Sequence, residues 1–581
     1  MLFDGKLSCT HRRWVQQSGP VRDITYLQQR HNLPELVARL LAQRGIDVDK
    51  VQGFLSPTLK DLMPDPFHLK DMDKAVVRLI QAIEKKEKIL IFGDYDVDGA
   101  TSSALLKRFF DDMEVPCRIY IPNRALEGYG LSQQALETLK AEGYTVVLTV
   151  DCGTTSFDAL TWAKDNTMDV IVLDHHISEE TLPPAFALVN PNRRDETSPY
   201  TYLCAVGLTF LFVAGVCKRL KEIGAASPLP DLRGYLDLVA LGTICDVVPL
   251  VGLNRAYVIQ GLKVLFKQQN LGIKTLLEIT EINERPSPYH LGFILGPRIN
   301  AGGRIGQSDL GATLLSTNDP DIAKTVAMTL NLLNKERQLM ELQMMSEALA
   351  QVEEQTLQNH PVICVASPTW HMGIVGIVAG RIKERYNKPC FVIAIDGKGI
   401  GKGSGRSVPG VNLGALAHSA RQAGLLINGG GHAMAAGVTI ASDQIDAFRD
   451  FLGTQVSLNA DSNILDIHGS LTVGGASLDL IQSLEQLSPF GPSNPTPLFV
   501  IPHVRIIYAS VVGTNHVRCT IESEDRKKLG AIAFQAKDTP LGQFLLSAER
   551  RQLYHIVGTL NVNQWQGRSS PQLVIKDIMV A

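Results

Sequence analysis

Apolar and polar positions along the first half of this chain switch repeatedly between a helical and an extended period, and each switch marks an element. Between Ala75 and Lys88, the side chains of Val76, Leu79, Ile80 and Ile83 fall on one helical face with charges opposite. A short apolar run, Ile89 to Phe92, then predicts a buried strand. The pair recurs as a helix around Thr101 to Phe110, a strand from Cys117 to Ile121 and a helix from Ser132 to Glu142. It continues as a strand from Thr145 to Val150, a helix from Phe157 to Asp165 and a strand from Asp169 to Leu173. This alternation predicts an α/β fold with a mostly parallel, doubly wound sheet and helices on both faces.

Downstream the pattern changes character. Asp319 to about Leu357 reads as one long helix, with Asp319 as N-cap and Pro320 in the first turn. At 1.5 Å per residue it reaches roughly 55 Å, enough to join two domains. The competing reading, a coiled-coil dimerisation helix, needs a strict heptad that the apolar spacing does not keep. A second, glycine-rich α/β unit runs from Pro361 to about Gly453. Beyond it, Val504 to Val512, His516 to Glu522 and Leu529 to Phe534 are β-branched runs with short polar breaks, which predict a small β-barrel.

A chain of 581 residues is too long for one core. The expected division is an N-terminal segment over 1–60, a catalytic α/β domain over 61–275, a linker with the long helix over 276–357, a second α/β domain over 358–457 and a β-barrel over 458–581. Hydrophobic residues at 45% and charged residues at 20% describe an ordinary globular protein. The net charge of −3 excludes a strong overall positive field, so a nucleic-acid partner has to be gripped by local basic grooves. Nine cysteines, from Cys9 to Cys519, include no C-x-x-C pair, which argues against a zinc ribbon or a disulfide framework and for a reducing cytoplasm. The start MLFDGKLSCTHRRW lacks the apolar segment of a signal peptide. Tyr202 to Cys217 falls short of the roughly 20 apolar residues that cross a bilayer and reads as a helix buried against a sheet.

Chemistry concentrates where the predicted strands end. IFGDYDVDGATSSALL sets Asp94, Asp96 and Asp98 at alternate positions just after a strand, and such close carboxylates repel unless cations neutralise them. An EF-hand is excluded: Leu105 stands where its bidentate glutamate belongs, and a strand precedes the loop where a helix is required. Asp151 follows TVVLTV, Asp174, His175 and His176 follow VIVL, and Asp246 ends LDLVALGTIC. Strand C-terminal ends line one edge of a parallel sheet, so acids and imidazoles from four segments are expected to converge there. For any one of them a helix cap or a solvated turn is the competing reading; their recurrence at equivalent places tells against it. Oxygen-rich donors with one or two imidazoles suit two manganese or magnesium ions better than zinc. Cys152 and Cys245 adjoin this set but are expected to turn away from it, by strand alternation, as small core residues. Two such cations support in-line displacement at phosphorus, which points to hydrolysis of a phosphoester or phosphoanhydride.

GDYDVDG, VDCG, LDHH and DVVPL, in that order, resemble the four signature motifs of the DHH phosphoesterase superfamily. FLSPTLKDLMPDPFHLKDMDKAVVRL, GPRINAGGR, HMGIVGIVAGR, GSGRS, GGGHAMAAG and LSPFGPSNPTP extend the resemblance, from about Phe54 to Pro497, to the RecJ family of single-strand-specific exonucleases. The resemblance implies a DHH domain, a DHH-associated domain and a C-terminal oligonucleotide-binding barrel. It implies that Asp94, Asp96, Asp98, Asp151, His175 and Asp246 hold two metals, that His176 sits beside the scissile phosphate, and that Asp98, Asp151, His175 and His176 are catalytic. The reaction it implies is release of 5′ mononucleotides from single-stranded DNA, in the 5′-to-3′ direction, in repair and recombination. Its implied partners are a single-stranded-DNA-binding protein and a recombination helicase, with the chain itself a monomer. Two departures stand out: Cys245 where alanine is usual, and GPSNP in place of G-x-G-N-P, which bears on the geometry of that turn.

Residues for holding a strand can be named as well. Gly397 to Ser407, GKGIGKGSGRS, is expected to present exposed backbone N–H groups, Ser404 and the fork of Arg406 to phosphate oxygens. It is not a nucleotide P-loop, since Asp396 occupies the first glycine position and Gly403 follows Lys402. Gly431 and His432 end a glycine run that lets backbone approach a ligand; the competing reading is a tight turn. Arg298, Asn300 and Arg304 fit a phosphate or terminal-nucleotide contact, against a plain solvated loop. His371, before an expected helix, is raised from a packing histidine to a substrate contact only by the resemblance. Phe210, Phe212, Phe391 and Phe451 lie in apolar runs and read as core. From Val500 onward ten Lys or Arg face six Asp or Glu, and Tyr508 and Trp565 could stack on bases.

Two other functions are weighed against this one. A DHH hydrolase of cyclic dinucleotides, short oligonucleotides or pyrophosphate would lack the barrel beyond about Asp461. A non-catalytic replication scaffold would lack carboxylates, and none is missing here.

Overall fold

A computed structural model describes residues 6–123, 127–128, 130–225, 229–456, 463–565 and 567–581, with the side chain of Trp565 outside that description. The chain forms two compact units. One comprises Gln52–Gln338 with Pro489–Pro495; the other comprises Met1–Val51, Leu339–Ser488 and Thr496–Ala581.

The first unit is built on a five-stranded sheet. Its order is Cys117–Tyr120, Ile89–Gly93, Val146–Val150, Asp169–Leu173, Ala187–Val189, and every pairing is parallel. Buried on both faces, the inner strands show two inward sets. Ile89, Ile91, Val146, Leu148, Ile171 and Leu173 pack with the Met72–Glu84, Val97–Asp112 and Ala205–Glu222 helices. Leu90, Phe92, Val147, Val170 and Val172 pack with Gln133–Ala141 and Phe157–Asp165. The doubly wound reading holds, and predicted elements through Leu173 appear within a few residues of their expected bounds. Phe210 and Phe212 are core residues of the Ala205–Glu222 helix. Among the described residues no helix is long and apolar enough to cross a membrane.

LDLVALGTIC departs from the strand-end picture. It is a helix, Leu236–Cys245, and Asp246 is its C-cap. The alternation argument for Cys245 therefore fails, because side chains of a helix turn by about 100° per residue. Cys245 is half-buried and its Sγ donates to the Leu291 carbonyl at 3.4 Å. Cys152 is buried in the core, as expected.

In the other unit a five-stranded sheet runs Asn428–His432, Ala435–Ala441, Ile400–Arg406, Cys390–Ile395, Ile363–Ser367; only the last pair is parallel. Phe391 is buried there and Phe451 is partly buried against the same core. The barrel closes through five strands, Phe499–Val512, His516–Glu522, Lys528–Ala533, Arg568–Val580 and Tyr554–Trp565, the last pairing back with the first. Near the amino end, Arg13–Gln16 pairs in parallel with Ile464–Ile467, and buried Trp14 donates from Nε1 to Asp577 at 2.9 Å. The long helix is continuous over Pro320–Glu354, with Asp319 Oδ1 accepting from the backbone of Asp321 and Ile322.

Candidate metal centre

Register places the site. Gly93 pairs with Val150, and Val150 with Leu173, so the residues that follow, Asp94, Asp151 and Asp174, leave adjacent strands side by side. Beyond Asp94 the chain turns at once into a helix, and Asp96 caps it by accepting from the N–H groups of Asp98 and Gly99 at 2.9 and 3.1 Å. Cap and ligand readings thus coexist in one side chain. Gly99 is needed for closeness: a Cβ there would stand 2.5 Å from the Asp94 carbonyl oxygen. Asp98 accepts from Ala205 N and Val206 N at 2.6 and 2.8 Å, where the N-terminal turn of the next long helix favours negative charge.

The result is one connected cluster. Donor atoms of Asp151, His175 and His176, of Asp98, His175 and Asp246, and of Asp94, Asp96 and Asp151 lie, within each group, inside 4.8 Å of one another. Shared Asp151 and His175 link the three groups. His175 Nε2 stands 3.3 Å from Asp151, 3.7 Å from Asp246 and 3.8 Å from Asp98.

Such crowding shifts several of these groups from their ordinary ranges. Burial, then the charge of Asp96, pushes Asp98 up to about 7. Burial and neighbouring carboxylates hold Asp151 and Asp246 well above the usual carboxylate range. The two histidines separate. Burial and the neighbouring His176 lower His175 to about 4, so its ring is neutral and bonds the Leu203 backbone while Nε2 faces the carboxylates. For His176 burial works downward, but a 2.7 Å hydrogen bond to Asp174 raises it to about 9. Asp174 in turn is burdened by burial yet held well below the usual range by His176.

Two observations fit this donor set to cations. Asp151 Oδ1 and Asp246 Oδ2 are buried and accept no hydrogen bond, although isolated buried carboxylate oxygens are costly. The donors are mostly oxygens with a neutral imidazole, a set that suits manganese or magnesium.

Asp174 is the organiser that strand-end reasoning left out of the ligand and catalytic sets. It accepts from Thr154 N, His175 N and His176 N and from His176 Nδ1. Asn190 and Asn192 were also missed: their side-chain amides donate to the His176 and His175 carbonyls at 2.8 and 2.6 Å. The available signal was NPN directly after ALV, a polar pair at one more strand end.

The remaining candidates fall in two places. Arg298, Asn300 and Arg304 lie on the helix Gly296–Ile305 and not in a solvated loop. That helix packs on the metal-site loop at Gly303, whose Cβ would come 2.0 Å from the Tyr95 ring. Arg298 donates to Asn331 Oδ1 and the Ile294 carbonyl, and Asn300 Oδ1 is buried without a hydrogen-bond partner. The other set belongs to the second unit. Ile400–Arg406 is an inner strand, so its backbone is committed to both neighbours and is not the open N–H cradle expected from its glycines. Only side chains remain to bind: Arg406 donates to Ser404 Oγ at 2.9 Å. Gly431 and His432 end an edge strand, Asn428–His432, and not a tight turn, paired on one side with Ala435–Ala441. His371 is exposed, and its Nδ1 accepts from Gly373 N at 3.1 Å ahead of the helix Val375–Tyr386. Tyr508 stands 48% exposed on the barrel.

A doubly wound sheet with paired acids and a D-H-H triplet at its C-terminal edge is the design of a DHH phosphoesterase, and residues 88–243 match the model of the DHH family N-terminal domain. Residues 359–457 match the DHHA1 domain and residues 467–577 the RecJ OB domain. The chain is 34% identical over 582 residues to the single-stranded-DNA-specific exonuclease RecJ of Bacillus subtilis, covering 98% of this chain and 71% of that one. It belongs to the RecJ family. Crystal structures of RecJ from Thermus thermophilus superpose with TM-score 0.82 in complex with Mn2+ and 0.75 with Mg2+. They are 27% and 26% identical, cover 97% of this chain, and are themselves covered over 79% and 78%.

Proposed function

We propose that this chain is a metal-dependent exonuclease that hydrolyses phosphodiester bonds of single-stranded DNA from the 5′ end and releases mononucleotides. The observation that carries the reading is the convergence of Asp94, Asp96, Asp98, Asp151, His175, His176 and Asp246 in one connected cluster. Asp94, Asp96, Asp98, Asp151, His175 and Asp246 would hold two divalent cations, manganese or magnesium. When bound, these ions supply Lewis acidity toward phosphoryl oxygens and a strong nucleophile from water.

The chain's own residues do the rest. Neutral His175 offers a lone pair at Nε2, because burial keeps its proton off. His176 does the opposite. Its Nδ1 is hydrogen-bonded to Asp174, which favours the protonated ring and suits it to a phosphate oxygen beside the site. Asn190 and Asn192 fix the backbone of both histidines, which limits the freedom of their rings. Arg298, Asn300 and Arg304 would contact the terminal nucleotide, and His371, Ser404, Arg406, Gly431 and His432 would contact phosphates of the strand.

The barrel supports a polymer substrate over a cyclic dinucleotide or pyrophosphate, and the full acid set supports an enzyme over a scaffold. A single-stranded-DNA-binding protein and a recombination helicase are proposed as partners, and a reducing cytoplasm as the compartment, in keeping with nine unpaired cysteines. The test is digestion of DNA and RNA single strands, labelled at either end, with Mn2+ or Mg2+. Mononucleotide release from the 5′ end of DNA is expected; products from the 3′ end, or no cleavage with either ion, would refute the reading.

A further inference from the structure

Two large aromatic rings stand in solvent on a turn that packs against the helix end preceding Asp246, and neither the motifs nor the mechanism uses them. Tyr289 is 61% exposed and Phe293 71%. Their rings stack on each other, 5.2 Å between centroids and 24° between planes. A stacked exposed aromatic pair marks an interaction surface more often than an isolated exposed ring does.

The turn that carries them is unusual and well held. Residues His290–Leu295 form a π-helix, a geometry found mostly at functional sites. Buried His290 pins its start, accepting at Nδ1 from Ser287 N at 3.0 Å and facing Glu284 at 3.0 Å through Nε2. The exposed rings therefore project from a braced turn and pay little ordering entropy on binding a flat partner.

The turn is also joined to the site. Cys245, beside Asp246, donates to Leu291 O at 3.4 Å, and a Cβ on Gly292 would meet Ile244 at 3.3 Å. The same turn runs directly into the Gly296–Ile305 helix that bears Arg298, Asn300 and Arg304. Arg298 donates back to the Ile294 carbonyl at 2.7 Å.

From this arrangement we infer that Tyr289 and Phe293 form a stacking platform for an unpaired base of the single strand whose terminal phosphodiester lies in the metal centre. The inference rests on the exonuclease reading and adds a subsite to it. A nucleic-acid base is the occupant that fits: it has a π-face whatever its identity, and the platform is continuous with the helix bearing the phosphate-type side chains. A protein partner would use the same apolar surface but would not depend on bases.

The experiment is steady-state hydrolysis by the full chain with Mn2+, on 5′-labelled oligonucleotides that are intact or carry abasic positions behind the first nucleotide. Stacking predicts that Tyr289→Ala/Phe293→Ala raises KM for the intact strand about tenfold. It also predicts that abasic positions raise KM for the wild type but no longer for the variant, and that Phe293→Trp restores binding. Because both rings are exposed, the melting temperature should stay close to wild type. If it falls, the milder Tyr289→Leu/Phe293→Leu pair gives the same comparison. Unchanged KM in the variant, or equal sensitivity of variant and wild type to abasic positions, would overturn the platform while leaving the exonuclease intact. Unchanged KM with altered self-association would assign the surface to a second copy of the chain and overturn it too. A wild-type chain that cut no oligonucleotide would remove the exonuclease reading and this subsite together.

Discussion

Asp151 shows how one residue can be costly to the fold and necessary to the chemistry. Its backbone is left-handed, at φ 61°, and its buried carboxylate faces Asp96, Asp98, Asp94 and Asp246. Asp151→Asn is expected to lower the hydrolytic rate by at least about a thousandfold while changing single-strand affinity less than about twofold. The same change removes a carboxyl whose ionisation burial and its acidic neighbours oppose, so in chelator at neutral pH the variant should melt above the wild type; a lower melting temperature would show that the carboxyl is not a burden on the empty site. Manganese should raise the melting temperature of the wild type, since a ligand that binds only the folded state stabilises it. Ser493 is a second strained residue, at φ 60° where the related motif carries glycine. It is exposed, so Ser493→Gly loses no packing and should stabilise by about 0.5–1 kcal/mol in denaturant unfolding. The Ser-for-Gly departure was legible in the sequence, but its backbone angle was not.

Among elements, the Leu236–Cys245 helix carries a titration that can be measured. Asp237 near its start is buried, which pushes it up to about 6 although the Leu238 N–H and Arg108 work against the shift. A carboxyl raised in the folded state keeps its proton there while the unfolded chain loses it. Stability should therefore fall as pH rises from about 4 to about 6, by roughly 3 kcal/mol for a shift of about two units. Asp237→Asn should flatten that slope and stabilise the protein at pH 7, with little effect below pH 4; an unchanged slope would place the titration elsewhere. Strands and helices of the first sheet were readable because each buries one consistent face. The failures share a cause. LDLVALGTIC is apolar on all sides and so has no readable period, and the glycines of Gly397–Ser407 signal freedom whereas the observed strand uses them to sit between two neighbours. The π-turn at His290 had no signal in an alternation of types.

At the scale of the molecule, the amino end is tied to the carboxyl end. Arg13–Gln16 extends onto Ile464–Ile467, and Trp14 and Cys9 donate to the fully buried Asp577. Trp14→Phe removes a hydrogen bond to a buried acid and should cost about 1.5–3 kcal/mol, read as a lower unfolding midpoint. It should leave hydrolysis of a short strand unchanged, which separates the tie from the chemistry. Removal of the barrel, by contrast, also strips Trp14 of its partner Asp577, so the barrel's part in strand binding is better tested by Tyr508→Ala or Arg518→Ala in the full chain.

Local order was written in the sequence: alternating periods set the parallel sheet, and acids and imidazoles placed after apolar runs marked its working edge. Which of those groups meet was decided by register, by the helix that delivers Asp246, and by the packing of Gly303 on Tyr95. The opposite protonation of His175 and His176 was likewise decided in three dimensions, because burial and the hydrogen bond to Asp174 depend on neighbours brought together by the fold. A side chain's type is local, whereas its distance to another charge and its access to water belong to the folded whole.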